Sequence, residues 1–279
     1  MKSLVINNRT YRYADRLEEL TLEQWQALMR FHFQKNTHPE GQRPEQTQAA
    51  TRILTDFAGI DEKIVLKTAP DERTRFLNDW SETIARQYAG TGGKPDPEAL
   101  RATARAACKK ARLFWPRDAY TLDHTRQPLS GIRAQAFCDA TDLYLENPIE
   151  QAHIVMAILC RPPRKAYDEM QILRDAAKMK RHSMKVVLGL FGELTQAHRL
   201  FRNWFPACYR NRLQESKEPG NRSQNPPRWN DILLWLAEYR PSEIKLAEQL
   251  PCYEFMRMAD GKLRNRQSTF TPKTTPPHV

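Results

Sequence analysis

Hydrophobic residues recur at three- and four-residue intervals along most of the chain, which predicts a protein built mainly from amphipathic α-helices. The periodicity breaks near the N-terminus, where Leu4–Ile6 and Thr10–Tyr13 flank two asparagines and predict a small β-hairpin. A second short strand pair is predicted at 112–115 and 119–122. The predicted fold class is therefore mainly α, with many helices, an N-terminal hairpin and a second short strand pair. The clearest helical stripe consists of Met184, Val187, Leu188, Phe191, Leu194, His198 and Phe201.

Local signals mark where several of the helices begin and end. Thr21 and Gln24 have the spacing of a capping box, in which each side chain bonds the other residue's backbone N–H. Asp61 and Asp71 can cap a short helix to residue 67 and a longer one to residue 89. Gly59 stands where helices commonly end on a glycine.

Residues 147–206 hold the most informative stretch of the chain. An apolar helix at 149–159 is followed by the basic, proline-broken hinge Arg161-Pro162-Pro163-Arg164-Lys165 and by Tyr167. A charged amphipathic helix and a second apolar helix come next. The prolines predict a rigid corner whose arginines meet acidic groups of a partner, and the simpler alternative is an interhelical turn with solvated arginines. The predicted partner-binding residues are Arg161, Arg164, Lys165 and Tyr167.

Composition shifts divide the chain into six predicted segments. They are the hairpin and helices at 1–89, the glycine loop, basic helix and strand pair at 90–146, the central apolar helices at 147–209, a basic linker at 210–228, the C-terminal helices at 229–266 and a flexible tail at 267–279.

The chain is strongly basic, with a formal net charge of +11, which favours an acidic partner. The segment 101–117 carries cations without an intervening acidic residue and includes aromatic side chains, a mixture that can contact phosphates and stack on bases. A solvated helix face beside buried aromatic residues is the competing interpretation. The candidate nucleic-acid contacts are Arg101, Arg105, Lys109, Lys110, Arg112 and Trp115.

The sequence predicts a soluble protein of a reducing compartment. Its five cysteines are odd in number, lie far apart and form no C-x-x-C pair. We expect no signal peptide in the N-terminal residues and no membrane span, since no stretch approaches the ~20 apolar residues that a span needs.

Sequence motifs for catalysis and metal binding are missing. The seven histidines form no H-x-x-x-H or H-E-x-x-H pair, and the glycine loop at 90–95 lacks the spacing of a phosphate-binding loop. His198, within an apolar stripe, is expected to be a hydrogen-bonded core or boundary histidine. A Cys-His nucleophile assembled from distant residues stays open. We predict a protein that is not an enzyme and has no cofactor or bound metal.

Several short phrases of the chain together carry a resemblance to a known family: Leu20–Trp25, Arg52–Glu62, Ala157–Pro162 with Tyr167-Asp168-Glu169, Trp229–Glu238 and Leu250–Phe255. They resemble phrases of tail-assembly chaperone-like, tail-associated proteins of bacteriophages and prophages. The likeness covers most of the chain and departs at 85–130 and 210–228.

The resemblance implies a helical assembly factor that binds other phage structural or tail proteins without catalysis. It places the protein in the host cytoplasm and leaves open whether the protein stays in the virion, as well as its oligomeric state. The alternative function is a basic nucleic-acid-associated protein that acts through residues 101–117.

Overall fold

The computed structural model describes residues 2–6, 9–37, 43–90, 97–116, 119–120, 126–127, 129–162, 167–209 and 228–269. The fold is mainly α, as the hydrophobic periodicity predicts. The strands are β1 Lys2–Ile6, β2 Arg9–Tyr13, β3 Ala119–Tyr120 and β4 Arg126–Gln127. The helices are α1 Leu22–Thr37, α2 Arg43–Ala58, α3 Glu62–Lys67, α4 Pro70–Gly90, α5 Pro97–Lys110, α6 Ala134–Glu146, α7 Ala152–Leu159, α8 Glu169–Met179, α9 Met184–Trp204, α10 Trp229–Leu236, α11 Pro241–Gln249 and α12 Cys252–Thr269.

The chain forms two compact units that interleave along the sequence. Unit 1 consists of Met1–Leu113, Asn147–Ala157 and Ala166–Leu190. Unit 2 consists of Phe114–Glu146, Ile158–Lys165 and Phe191–Val279. A division into consecutive segments does not describe this arrangement, because the chain passes from one unit to the other within α7 and within α9.

Unit 1 is built around α1, α2 and α4, which pack against one another through stripes at helical spacing. Leu77, Trp80 and Ile84 of α4 are buried, and Trp25 and Leu28 of α1 are fully buried. The indole Nε1 of Trp80 donates to the carbonyl of Ala14 at 2.8 Å. This bond ties the segment that follows β2 to α4.

The predicted N-terminal hairpin is confirmed. Strands β1 and β2 pair antiparallel, with Lys2 opposite Tyr13 and Ile6 opposite Arg9. Tyr13 makes an edge contact with the ring of Trp80 at 5.1 Å between centroids. The hairpin is thereby placed beside α4.

The predicted helix starts are largely confirmed. The Thr21 N–H donates to Gln24 Oε1 at 2.9 Å, and the Gln24 N–H donates to Thr21 Oγ1 at 3.2 Å, which completes the capping box. Asp61 accepts from the Lys63 N–H at 2.8 Å and caps α3. The prediction for Asp71 is wrong by two positions, since α4 begins at Pro70 and Asp71 lies in its first turn. A proline suits that position because the N–H it lacks would have no helical partner.

The second strand pair exists, but its predicted members are only partly right. Ala119–Tyr120 pairs with Arg126–Gln127, while 112–115 contains no strand. The reason is the end of α5, where Arg112 adopts φ 56° and the Leu113 N–H returns to the Cys108 carbonyl at 2.9 Å. Helices that end in this way usually have glycine at the residue with positive φ. Because that residue is Arg112 here, the sequence shows no sign of this helix end.

Unit 2 is organised around α6, which packs against α10, α11 and α12. Helix α10 ends at Leu236, because Glu238 and Tyr239 adopt positive φ and turn the chain towards Pro241. Helix α12 extends to Thr269, past residue 267 where the flexible tail is predicted to start, so the first residues of that segment are helical. The remainder of that tail, most of the predicted linker and most of the glycine loop lie outside the described residues.

Candidate functional site

The outward side of α8 in unit 1 carries apolar side chains that the fold leaves exposed. Ile172, Ala176 and Met179 form the buried stripe of this helix. Met170 and Leu173, one turn apart on another side, are 63% and 53% exposed. The helix is therefore apolar on two sides, and only one of them contributes to the core of unit 1.

Both ends of α8 are fixed by hydrogen bonds. Asp168 accepts from the N–H groups of Met170 at 3.0 Å and Gln171 at 3.3 Å, which caps the first turn. Beyond the other end, the His182 carbonyl accepts from the Leu22 N–H and the Lys180 carbonyl from the Glu23 N–H, both at 2.8 Å. The exposed side of α8 thus belongs to a helix whose position is fixed by hydrogen bonds at both ends.

Cations border the exposed apolar residues of α8. Arg174, Lys178 and Arg181 are exposed and recur at four- and three-residue spacing. Lys178 also bonds Asp175 on the same helix at 3.2 Å. We define the α8 face as Met170, Leu173, Arg174, Ala177, Lys178 and Arg181. An apolar strip beside a row of cations is complementary to a partner helix that carries apolar and acidic residues on one side.

The predicted partner-binding residues are divided between the two units. Arg161 belongs to unit 2 and Tyr167 to unit 1, while Arg164 and Lys165 lie outside the described residues. Tyr167 is half-buried and directly precedes the Asp168 cap of α8. Arg161 is half-buried at the wall of a cavity in unit 2.

The predicted nucleic-acid contacts differ in exposure. Arg101 and Arg105 are half-buried, with buried Nε atoms, beside the fully buried Ala104. Lys109, Lys110 and Arg112, in the last turn of α5 and after it, are exposed. The first two arginines are therefore partly taken into unit 1, and the three later cations are available to solvent.

Trp115 lies in unit 2, whereas the other candidate nucleic-acid contacts lie in unit 1. It is half-buried and lines the same cavity as Arg161. The cavity has a volume of about 290 Å³. It also brings together residues from the start of α6, the end of α7 and the end of α11.

His198 is the hydrogen-bonded boundary histidine that its sequence position predicts. Its Nδ1 lies 2.8 Å from the hydroxyl of Tyr209, and its Nε2 lies 3.2 Å from the hydroxyl of Thr141. The rings of Phe137 and Trp229 pack beside the imidazole. Both ring nitrogens therefore have partners within the core of unit 2.

The cysteines are packing residues in this structure. All five are buried, and none of them forms a disulfide. Burial raises the pKa of Cys208 to about 12, and burial also raises the pKa of Cys252 well above its usual value. These two thiols therefore stay protonated at neutral pH and are poor nucleophiles.

Two histidines of unit 1 are held towards the neutral form. Burial, and then Lys180, lowers the pKa of His153. Burial lowers the pKa of His182. Gln26 Nε2 lies 3.4 Å from His153 Nδ1, so a neutral imidazole can accept a hydrogen bond there.

The described part of the chain shows neither a cluster of three or more His, Cys, Asp or Glu side chains fit for a metal ion nor a helix able to cross a membrane. No protein-family model matches the chain, and no curated protein and no solved structure is significantly similar to it.

Sequence reasoning missed Met170 and Leu173 as functional candidates. The available signal was the apolar residues at 170, 172, 173, 176, 177 and 179, more than one buried stripe of an eleven-residue helix requires. Which of the two sides would be buried depends on tertiary packing.

Proposed function

We propose that this protein is a non-enzymatic helical assembly factor of a phage or prophage tail system that binds structural partner proteins through the α8 face. The observation that carries the proposal is the exposure of Met170 and Leu173 on one side of a helix that is capped and anchored at both ends. Isolated exposed apolar residues are ordinary, but an apolar strip bordered by cations is typical of an interaction surface.

The charge of the α8 face defines the chemistry of its partner. Arg174, Lys178 and Arg181 surround the apolar strip, and Lys178 bonds Asp175 of the same helix at 3.2 Å. A partner helix with apolar residues towards Met170 and Leu173 and acidic residues towards the cations would satisfy both features. We therefore commit to an acidic amphipathic helix as the occupant.

The phage context rests on the phrases that resemble tail-associated proteins. One of them, Tyr167-Asp168-Glu169, includes the cap that starts α8. Since capping fixes where a helix begins, this phrase sets the N-terminal end of α8.

The α8 face can be tested by site-specific cross-linking. A photoreactive p-benzoyl-phenylalanine at position 173 would be used in a nuclease-treated lysate of the cells that naturally express the chain, at ~0.15 M salt to screen distant charges. We expect cross-links to an acidic helical segment of a tail or other virion protein. Cross-links that scatter over unrelated proteins, or that map to basic segments, would refute the proposal.

A matched pair of variants makes the test specific. Met170→Ser with Leu173→Ser should abolish binding of the purified, cross-linked partner and leave thermal unfolding unchanged, because both side chains are already exposed. Leu246→Ser with Met258→Ser changes two exposed apolar residues of unit 2 and should leave that binding intact.

The alternative function, nucleic-acid association, is favoured by the exposure of Lys109, Lys110 and Arg112. Replacing all three with Ala should then lower retention of DNA and flatten its dependence on salt, since each lost phosphate contact reduces the number of released counterions. Unchanged retention would exclude nucleic-acid binding at this segment.

A further inference from the structure

The cavity of unit 2 has the composition of a ligand site that the proposed function does not use. Its lining includes the apolar residues Trp115, Ile158 and Leu159, together with Arg133 and Arg161. The described lining residues include no acidic side chain. An apolar wall with a few converging polar groups is the usual form of a site for small ligands.

Backbone hydrogen bonds shape one rim of the cavity. The Cys252 N–H donates to the Ile132 carbonyl at 2.7 Å, and the Ala134 N–H donates to the Leu250 carbonyl at 2.8 Å. Arg133 and Pro251, which both line the cavity, form an antiparallel bridge between these bonds. The rim is thus formed before any ligand arrives, which lowers the entropy lost on binding.

The charges select the ligand. Guanidinium groups pair with planar carboxylates through two parallel hydrogen bonds. We propose that this cavity binds a carboxylate attached to an aromatic or aliphatic group. The apolar group lies against Trp115, Ile158 and Leu159, and the carboxylate lies at Arg133. A free small acid and the C-terminal residue of a peptide share this chemistry.

The first test compares two probes that differ only in charge. N-acetyl-phenylalanine and its uncharged amide would be titrated into the full chain, with the indole N–H signals of the six tryptophans followed by NMR. A Trp115→Phe variant identifies the Trp115 signal. We expect that signal to shift and saturate with the acid, and the amide to bind about tenfold more weakly, as the loss of a charged hydrogen bond predicts.

Variants then locate the carboxylate. Arg133→Gln should weaken binding of N-acetyl-phenylalanine about tenfold, and Arg133 is exposed, so the fold should tolerate the change. Arg199→Gln removes the same charge from an exposed position of unit 2 outside the lining and should leave the affinity unchanged. Ala136→Leu, which places a larger side chain at the wall, should block the site.

Three results would overturn the proposal: no saturable shift at Trp115, equal affinity for acid and amide, or full affinity in Arg133→Gln. A peptide Gly-Ser-Gly-Ser-Phe with a free carboxylate separates the two sources. Tighter binding of this peptide than of N-acetyl-phenylalanine identifies a peptide C-terminus, and weaker binding identifies a free small acid. Because the α8 face lies in unit 1, Met170→Ser with Leu173→Ser should leave probe binding unchanged, so the two proposals can fail separately.

Discussion

The two units differ in the interactions at the centre of their long-range packing. In unit 1, polar side chains bond the backbone of segments far away in sequence: Gln26 donates to the Ile149 carbonyl at 2.7 Å, and Gln87 donates to the Asp15 carbonyl at 2.8 Å. In unit 2, aromatic rings converge on one point, where Trp229 lies 5.2 to 5.8 Å from the rings of Tyr209, His198 and Phe137. A helical protein can therefore join segments that are remote in sequence either by hydrogen bonding or by aromatic packing.

Carboxylates also join remote segments of unit 2. Asp142 accepts from the N–H groups of Trp229 and Asn230, at the start of α10. The buried Asp260 accepts from the Ala207 N–H at 2.7 Å and bonds Arg264 Nε at 2.6 Å. These bonds hold residues 207 and 229 on unit 2, at the two sides of the segment 210–227.

The largest expected effect comes from removing the centre of the aromatic cluster. Trp229→Ala should lower the free energy of unfolding of unit 2 by about 3–5 kcal/mol. Trp229 is fully buried, so removing its indole leaves a cavity that the neighbouring side chains cannot close. Hydrogen exchange followed by mass spectrometry should show faster exchange in peptides from α6 and α10. Leu246→Ala, at a position 62% exposed, is the control and should change exchange little. Slow exchange in α6 of the Trp229→Ala variant would mean that the cluster does not stabilise the unit.

A smaller effect is expected from the polar anchor of unit 1. Gln26 is 2% exposed, and its amide also donates to the Glu150 carbonyl at 3.2 Å. Gln26→Ala leaves these carbonyls without their donor and should cost about 1–3 kcal/mol. Urea unfolding would measure the loss, with Gln48→Ala at an exposed position of α2 as the control. Equal stabilities of the two variants would show that unit 1 does not depend on this anchor.

The sequence predicted those features that depend on neighbouring residues. The capping box at Thr21 and the cap at Asp61 need only residues within one turn, so their signals are complete in a short window. The bonds from Gln26 span more than 120 positions, and no local pattern distinguishes this glutamine from a solvated one. The alternation of the chain between the two units also depends on contacts between distant residues, so no local pattern predicts it.

The candidate site was less predictable than the fold. Helix α8 was expected to be charged and amphipathic, but the choice of its buried side is made by tertiary contacts. From the sequence, Trp115 was a candidate nucleic-acid contact and Arg161 a candidate partner-binding residue. In the structure both belong to unit 2 and line the same cavity. A proximity of this kind follows from topology, which residue spacing does not encode.

The smallest expected effect is a pH dependence of unit 1. The pKa values of His153 and His182 are lowered by burial from an ordinary value of 6.5. The unfolded chain therefore takes up protons at these residues more readily than the folded chain. Their contribution to stability is complete above about pH 6.5 and is lost as the pH falls below it. Arg30, which bonds Glu150 at 2.6 Å, lowers the pKa of that carboxyl, so a further loss follows at more acidic pH, below the ordinary carboxyl value of 4.5.

The two histidines can be separated from the rest of the acid response by substitution. Between pH 7 and about pH 5.5, hydrogen exchange in unit 1 peptides of the natural chain should accelerate, once the intrinsic dependence of exchange on pH is corrected. In the double variant His153→Gln, His182→Gln that acceleration should shrink, because neither residue can then take up a proton. An unchanged acceleration would assign the acid sensitivity of unit 1 to other groups.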